Sequence, residues 1–244
     1  RPYVMGEPPK EYFSYENRNP VGSYIREFEI GPEAKGKAVF LHFEGVKSAM
    51  YVWVNGHKVG YSENSMSPAE FNITDYVRQG SNKLAVEVYR WSDSSYLEDQ
   101  DMWRLSGIFR PVELWIRPMT HIRDYSIETI PSEDFTSATV RGTFHVRNLS
   151  DKKTKNLRIQ MSLHRDGYGD ALLSDFFDVQ PHDEVEVCLE TKIDKPVLWS
   201  AEKPSLYGID IWLVNKKNSE RFEAHTGVRR IEIDGETVLI NGRK

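Results

Sequence analysis

From Ser23 onward, apolar residues recur at every second position, the period of a strand with one covered face. Tyr24, Phe28 and Ile30 share one face of a first strand, Val39, Leu41 and Phe43 of a second, and Met50, Val52 and Val54 of a third. Asn55-Gly56 supplies the positive backbone dihedrals of a tight hairpin turn and joins residues 51–54 to a partner strand beginning near Lys58. A short strand at 70–74 and a turn at 75–77 lead to the alternation of Leu84, Val86 and Val88. Val112, Leu114 and Ile116 form a closing strand, and Pro118 marks a boundary. Roughly eight strands of this kind fit a jelly-roll sandwich. Residues 1–22, with Pro2, Pro8, Pro9 and Pro20 and little alternation, are expected to lie extended over a domain surface.

Beyond Pro118 the alternation restarts, with expected strands at 121–129, 138–147, 156–164, 171–178, 184–191, 205–215 and 221–230. Seven short strands of this spacing point to an immunoglobulin-like sandwich. In Val140/Gly142/Phe144/Val146 and Leu157/Ile159/Met161/Leu163 the intervening residues are mostly polar or charged, so one face of each strand is expected to be solvated. No segment holds twelve residues of helical period. Residues 231–242 look like a strand, turn and strand with nothing left in the chain to pack on, and their partner is expected elsewhere. The chain is therefore all-β, two sandwiches in series.

Composition narrows the functions open to such a fold. The chain has 244 residues, 39% hydrophobic and 12% aromatic, enough for two β-rich cores. A net charge of -5 argues against non-specific nucleic-acid binding, which needs clustered Lys and Arg. Cys188 is the single cysteine, sits in an alternating strand and excludes an intrachain disulfide, without identifying the compartment. There is no run of eighteen apolar residues, hence no expected membrane span, and the first residues contain no signal-like apolar segment. The seven histidines, His42, His57, His121, His145, His164, His182 and His225, lack the spacing of a zinc site. No Ser-His-Asp arrangement or nucleotide-binding glycine loop is present.

Residues 90–110 interrupt the strands with Trp91, Tyr96 and Trp103, the carboxylates Asp93, Glu98, Asp99 and Asp101, and Arg90, Arg104 and Arg110. A loop so dense in rings and charges is costly to order and characteristic of binding surfaces. Glu98, Asp99 and Asp101 offer oxygen atoms to a hard cation or to sugar hydroxyls, and Trp91 and Trp103 offer flat apolar faces; charged hydrogen bonds are the stronger kind. The competing reading is a structural loop ion-paired to its own arginines. Asp93 and Glu63, in loops flanking strands, are candidates for a divalent cation such as Mg²⁺, against the ordinary reading of solvated carboxylates. Gly107, before a strand, is read as a bulge or tight strand entry. Asn72-Ile73-Thr74 and Asn148-Leu149-Ser150 match glycosylation sequons, patterns frequent by chance. The segment from Leu198 to Tyr207, with a large aromatic residue beside a Pro-bounded turn, is expected to plug one end of the second sandwich.

Together with Asn19-Pro20-Val21-Gly22, Val54-Asn55-Gly56-His57-Lys58-Val59-Gly60-Tyr61 and Leu198-Trp199-Ser200-Ala201-Glu202-Lys203-Pro204-Ser205-Leu206-Tyr207, the loop resembles the sugar-binding region of glycoside hydrolase family 2, within it the branch of large β-galactosidases. The likeness covers nearly the whole chain. It implies a galactose-binding-like jelly roll over residues 1–118, lacking its first strands, an immunoglobulin-like sandwich over 119–226, and a segment 227–244 leading into an absent TIM barrel. It also implies hydrolysis of terminal β-galactosides by two barrel glutamates about 5 Å apart, one nucleophile and one acid/base. Neither falls within these residues, so the chain alone is expected to be inert. Asp101 matches the second aspartate of the family's Asp-Gln-Asp-Met-Trp motif, at the edge of the active site, where it helps hold a monovalent cation and galactose; Trp103 stands beside it as a substrate contact. Na⁺ and Mg²⁺ are implied for the intact enzyme, with a β-galactoside substrate, its own barrel as partner, and homo-oligomeric assembly. The resemblance supports a core role for the segment from Leu198 to Tyr207. β-Glucuronidases and β-mannosidases share this domain order, but the Ser-Tyr-Leu-Glu-Asp-Gln-Asp-Met-Trp wording favours the galactosidase branch. A free-standing pair of carbohydrate-binding modules and an adhesion-type structural pair remain as other readings, and the compartment stays open between bacterial cytoplasm and periplasm.

Overall fold

The computed structural model describes residues 19–98, 103, 105–165, 168–215 and 219–243. Two compact units divide the chain, Arg1–Arg117 and Pro118–Lys244.

The first unit is built from β1 (Val21–Ile30), β2 (Lys37–Phe43), β3 (Val46–Lys47), β4 (Ala49–Val54), β5 (His57–Ser62), β6 (Ala69–Asn72), β7 (Gly80–Tyr89), β8 (Gly107–Ile108) and β9 (Val112–Pro118). One sheet has the order β1-β7-β4-β5, a second the order β6-β2-β9, and β3 pairs with β8. Val39, Leu41 and Phe43 of β2 meet Met50, Val52 and Val54 of β4 and Leu84, Val86 and Val88 of β7 in one buried cluster between the sheets. The every-second-residue pattern thus becomes the inner lining of a sandwich, and burying each such side chain contributes roughly 1.5–3 kcal/mol. Asn55 and Gly56 take φ of 51° and 86°, the expected two-residue turn between β4 and β5. Asn55 does more than turn the chain. Its amide donates to the Tyr76 carbonyl and to Asn82 Oδ1, both at 2.8 Å, and its Oδ1 accepts from the Lys83 N–H.

The second unit contains β10 (Thr120–Pro131), β11 (Ser137–Asn148), β12 (Thr154–Arg165), β13 (Tyr168–Leu173), β14 (Phe177–Val179), β15 (Glu184–Asp194), β16 (Tyr207–Val214), β17 (Ser219–Thr226), β18 (Ile231–Asp234) and β19 (Thr237–Ile240). Its sheets run β10-β11-β15 and β13-β12-β16-β17, with β14 also on β12. Phe144 and Val146 face Leu157, Ile159, Met161, Ile209 and Ile211 across the sandwich. On the outer face of β11, Arg141 pairs with Glu190 and Arg147 with Glu184, the solvated side that the sequence pattern implied. The strand expected over 171–178 is split in two. Ser174 N–H donates to the Ile159 carbonyl while Ser174 Oγ accepts the Ile159 N–H, so one residue takes both bonds of a ladder position and β14 starts a separate pairing.

The segment from Leu198 to Tyr207 closes one end of this unit, as expected. Tyr207 and Val228 are buried with Ala138, and Leu198 packs on them. Asn241 ties the β18–β19 hairpin to it by donating to the Trp199 carbonyl at 2.9 Å. The hairpin itself leaves Ile231, Ile233 and Val238 exposed.

Candidate functional site

The loop of residues 90–110 leaves the end of β7 and is fastened at several points. Asn19 accepts the Trp91 N–H and donates to the Trp91 carbonyl, both at 2.9 Å, and the Arg90 N–H donates to the Pro20 carbonyl. Three serines then fold the chain into a single helical turn, Ser95–Glu98. Ser95 Oγ accepts the Ser92 N–H at 3.0 Å, and the Leu97 and Glu98 N–H groups both donate to the Ser94 carbonyl. Serine suits such a turn because its hydroxyl substitutes for missing backbone partners.

Glu98 closes that turn against the loop after β5. Its Oε1 accepts the N–H of Ser65, a fully buried residue, at 3.0 Å. Glu98 Oε2 and Ser65 Oγ are both shielded from solvent and have no hydrogen-bond partner among the described residues. The far end of the loop is held in the same way. Lys47, buried, points its Nζ at the Trp103 carbonyl, 3.4 Å away, and Arg110 donates to the Met66 carbonyl at 3.1 Å. Gly107 takes φ of 119°, where a Cβ would stand 3.1 Å from the Tyr24 hydroxyl, so both the conformation and the space call for glycine. The strand-entry reading of that residue fits β3–β8 pairing at Lys47↔Gly107.

Between these anchors the loop presents apolar surface. Trp103 is 84% exposed and Leu97 78%, with Leu105 and Phe109 also open. Trp91 is half-buried beneath the Arg90 guanidinium, 5.3 Å from its ring centroid, so of the two expected stacking faces Trp103 is the open one. Asp99 and Asp101 lie outside the described residues, as does Arg104.

Glu63 accepts a 2.6 Å hydrogen bond from the Tyr61 hydroxyl, while Asp93 is exposed nearby. Burial, the Glu63 hydrogen bond and the charges of Glu63, Tyr51 and Asp93 together push the Tyr61 hydroxyl up to about 12. Among the described residues no group of three or more His, Cys, Asp or Glu side chains is placed to hold a metal ion. Glu63 and Asp93 offer two carboxylates, the number by which Mg²⁺ is commonly held with water completing its shell. Because the folded value lies above the ordinary 10.0, the Tyr61–Glu63 contact contributes stability that is complete below pH 10 and lost as the pH rises towards about 12. Absorbance titration of tyrosinate is expected to show Tyr61 ionising late, beside Tyr89, which burial and Glu87 also push up; Glu63→Gln is expected to return Tyr61 towards the ordinary value, and an unchanged curve in the variant would contradict the assignment.

The histidines do not converge. His121 is buried with Nδ1 at 2.9 Å from the Pro118 carbonyl, and His42 stacks on Trp115. The role of Glu98 as a fastener had no signal in the sequence, since a carboxylate that caps one backbone N–H in a distant loop leaves no periodic trace.

A jelly-roll and an immunoglobulin-like sandwich in series, the first carrying a serine-folded loop with an exposed Trp103, define an all-β class of two-sandwich chain. Residues 9–118 match the sugar binding domain of glycosyl hydrolases family 2, and residues 120–229 match the domain that bears the name of glycosyl hydrolases family 2 itself. The β-galactosidase of Priestia megaterium (strain DSM 319 / IMG 1521) is 39% identical over 246 residues, covering all of this chain and 24% of that protein. That of Clostridium acetobutylicum is 41% identical over 229 residues, 93% of this chain and 24% of its own length. Among solved structures, Bacteroides uniformis β-glucuronidase 2 superposes with a TM-score of 0.84 at 26% identity, over 91% of this chain and 28% of that one. The chain belongs to glycoside hydrolase family 2. It spans about a quarter of the length of the curated relatives it matches. No helix among the described residues is long and apolar enough to cross a membrane.

Proposed function

We propose that these residues are the non-catalytic N-terminal part of a β-galactosidase, hydrolysing terminal non-reducing β-D-galactose residues with retention through glutamates on a barrel outside this chain. The two sandwiches brace that barrel, and the loop of residues 90–110 reaches its active site. The observation that carries this reading is the fastening of the loop: Asn19, Ser65, Lys47 and Arg110 hold its two ends, while Leu97 and Trp103 stand exposed. The identity of 39–41% to β-galactosidases over 93–100% of the chain favours that activity over the glucuronidase branch.

In this reading Asp101, three residues after Glu98, supplies one carboxylate to a Na⁺ ion and to the galactose hydroxyls, and Trp103 offers its exposed ring to the apolar face of the sugar. A Na⁺ ion held there would take oxygen ligands and would help fix the geometry of the galactose hydroxyls. The remaining ligands, and any Mg²⁺ the enzyme uses, come from the barrel. The assembled enzyme is a homo-oligomer.

Calorimetric titration of galactose and lactose into the 244-residue chain, with and without Na⁺, tests the division of labour. No detectable binding is expected, for the chain or for Asp101→Ala. Saturable binding near millimolar, about -4 kcal/mol, that vanishes in Asp101→Ala would overturn the reading in favour of a self-sufficient carbohydrate-binding module pair.

A further inference from the structure

The second unit holds a small cavity of its own. It measures about 360 Å³, and its lining includes Ile127, Thr129, Leu206, His225, Thr226 and Arg229. Thr129 of β10 donates its hydroxyl hydrogen to the Gly227 carbonyl at 3.2 Å, which ties β10 to the chain just beyond β17 beside the cavity. Such a volume suits a small ligand.

Arg229 sets the character of the cavity. Its neighbour Val228 is fully buried and accepts the Trp199 N–H at 2.9 Å, while Arg229 itself is exposed. Gly227 passes so close to the same indole that a Cβ there would stand 2.8 Å from Trp199 Cδ1. The Arg229 guanidinium lies over the Trp199 ring, 4.6 Å from its centroid. Stacking holds the planar group by its face and leaves the N–H donors along its edge free to bind, with little side-chain entropy left to lose.

Elsewhere in this unit the guanidinium groups meet carboxylates: Arg147 meets Glu184 at 2.7 Å, Arg221 meets Asp210 at 2.8 Å and Arg230 meets Glu232 at 3.0 Å. Among the described residues no carboxylate pairs with Arg229 or with His225. A guanidinium and an imidazole that line one cavity without an anion are out of keeping with a chain of net charge -5.

We propose that this cavity is an oxyanion site, taking a carboxylate or phosphate group between Arg229 and His225. The guanidinium offers paired N–H donors, and the imidazole carries at least one N–H in either charge state. Thr226 adds a hydroxyl, and Ile127 and Leu206 give an apolar wall to the carbon skeleton of the ligand. The site belongs to the second unit alone and stands whether or not the chain is part of a β-galactosidase.

The probes are inorganic phosphate and acetate, titrated separately into the 244-residue chain at constant ionic strength while NMR follows the imidazole Hε1 resonances. His225→Ala identifies the His225 line by its loss. That line is expected to move saturably, with a Kd of about a millimolar. Arg229→Gln is expected to weaken binding roughly tenfold, the loss of one charge-assisted pair. Arg229→Lys, which keeps the charge without the fork, is expected to fall between the two. His225→Ala changes an exposed strand position and leaves Trp199 untouched, and calorimetry is expected to show weaker phosphate binding there too. Arg230→Gln removes a neighbouring charge that Glu232 already pairs, and is expected to leave Kd unchanged. A tighter Kd for phosphate marks a phosphorylated ligand, and a tighter one for acetate a carboxylate. Two results would overturn the site: a His225 line that neither anion moves, or a response that Arg229→Gln and Arg230→Gln weaken equally, as general surface charge would.

Discussion

Replacing Asn148 with alanine is expected to destabilise the second unit by about 3–5 kcal/mol, enough to unfold a marginal sandwich. Asn148 is fully buried at the end of β11. Its amide donates to the carbonyls of Lys152, Val179 and Gln180, at 2.8, 3.3 and 3.1 Å. Its Oδ1 accepts from the N–H and hydroxyl of Ser150 and from the Thr120 hydroxyl. Truncation therefore strands several polar groups away from water, which costs more than the bonds themselves contribute. Thermal or urea unfolding followed by tryptophan fluorescence would measure the loss. Ser150→Ala, which removes one hydroxyl, is expected to cost about 1 kcal/mol, and equal losses for the two variants would show that the network is not centred on Asn148. The same burial takes the Asn148-Leu149-Ser150 sequon out of reach of glycosylation in the folded chain.

In the first unit the largest expected effect is that of Gly60→Val, a loss of about 2–4 kcal/mol. Gly60 lies in β5 opposite Val52, and a Cβ built there runs into the Phe71 ring. Phe71 packs on the core and meets Phe43 edge-on, with ring centroids 6.1 Å apart. A branched side chain at position 60 forces that ring out of its contact, which is overpacking and not cavity formation. Pairing Gly60→Val with Phe71→Ala distinguishes the cause: the double variant is expected to lose much less than the sum of the singles. Additive losses would place the damage in the β5 backbone instead.

Much of this architecture could be read from the order of residues. The alternations through Phe144 and Ile159 and the Asn55-Gly56 turn carry their own periods, and strands formed where those periods run. What escaped was whatever depends on one side chain meeting distant backbone. Asn148 passed for a chance sequon, Ser174 for an ordinary strand position, and Glu98 for a possible ligand, because a hydrogen bond across dozens of residues leaves no local pattern. Alternation also names the inward face of a strand without saying whether anything covers it. Tyr24 shares the inner face of β1 with Phe28 and Ile30 and is nonetheless 42% exposed. Of the candidate site, Trp103, Glu63 and Asp93 could be placed, while Asp101 lies outside the described residues.

The pairing of β1 with β7 also sets a timetable. Among the described residues β1 is the earliest strand of its sheet, yet the partner that holds it, from Gly80 to Tyr89, is made only after β2 to β6. The β4–β5 hairpin closes over two residues and forms within microseconds, whereas β1 must wait for a distant strand and bear the entropy of a long loop. Among the described strands of its sheet it is therefore the one left longest without a partner. A ribosome stalled before Tyr89 would leave the nascent chain with a hairpin already closed and β1 still free to join a neighbouring chain.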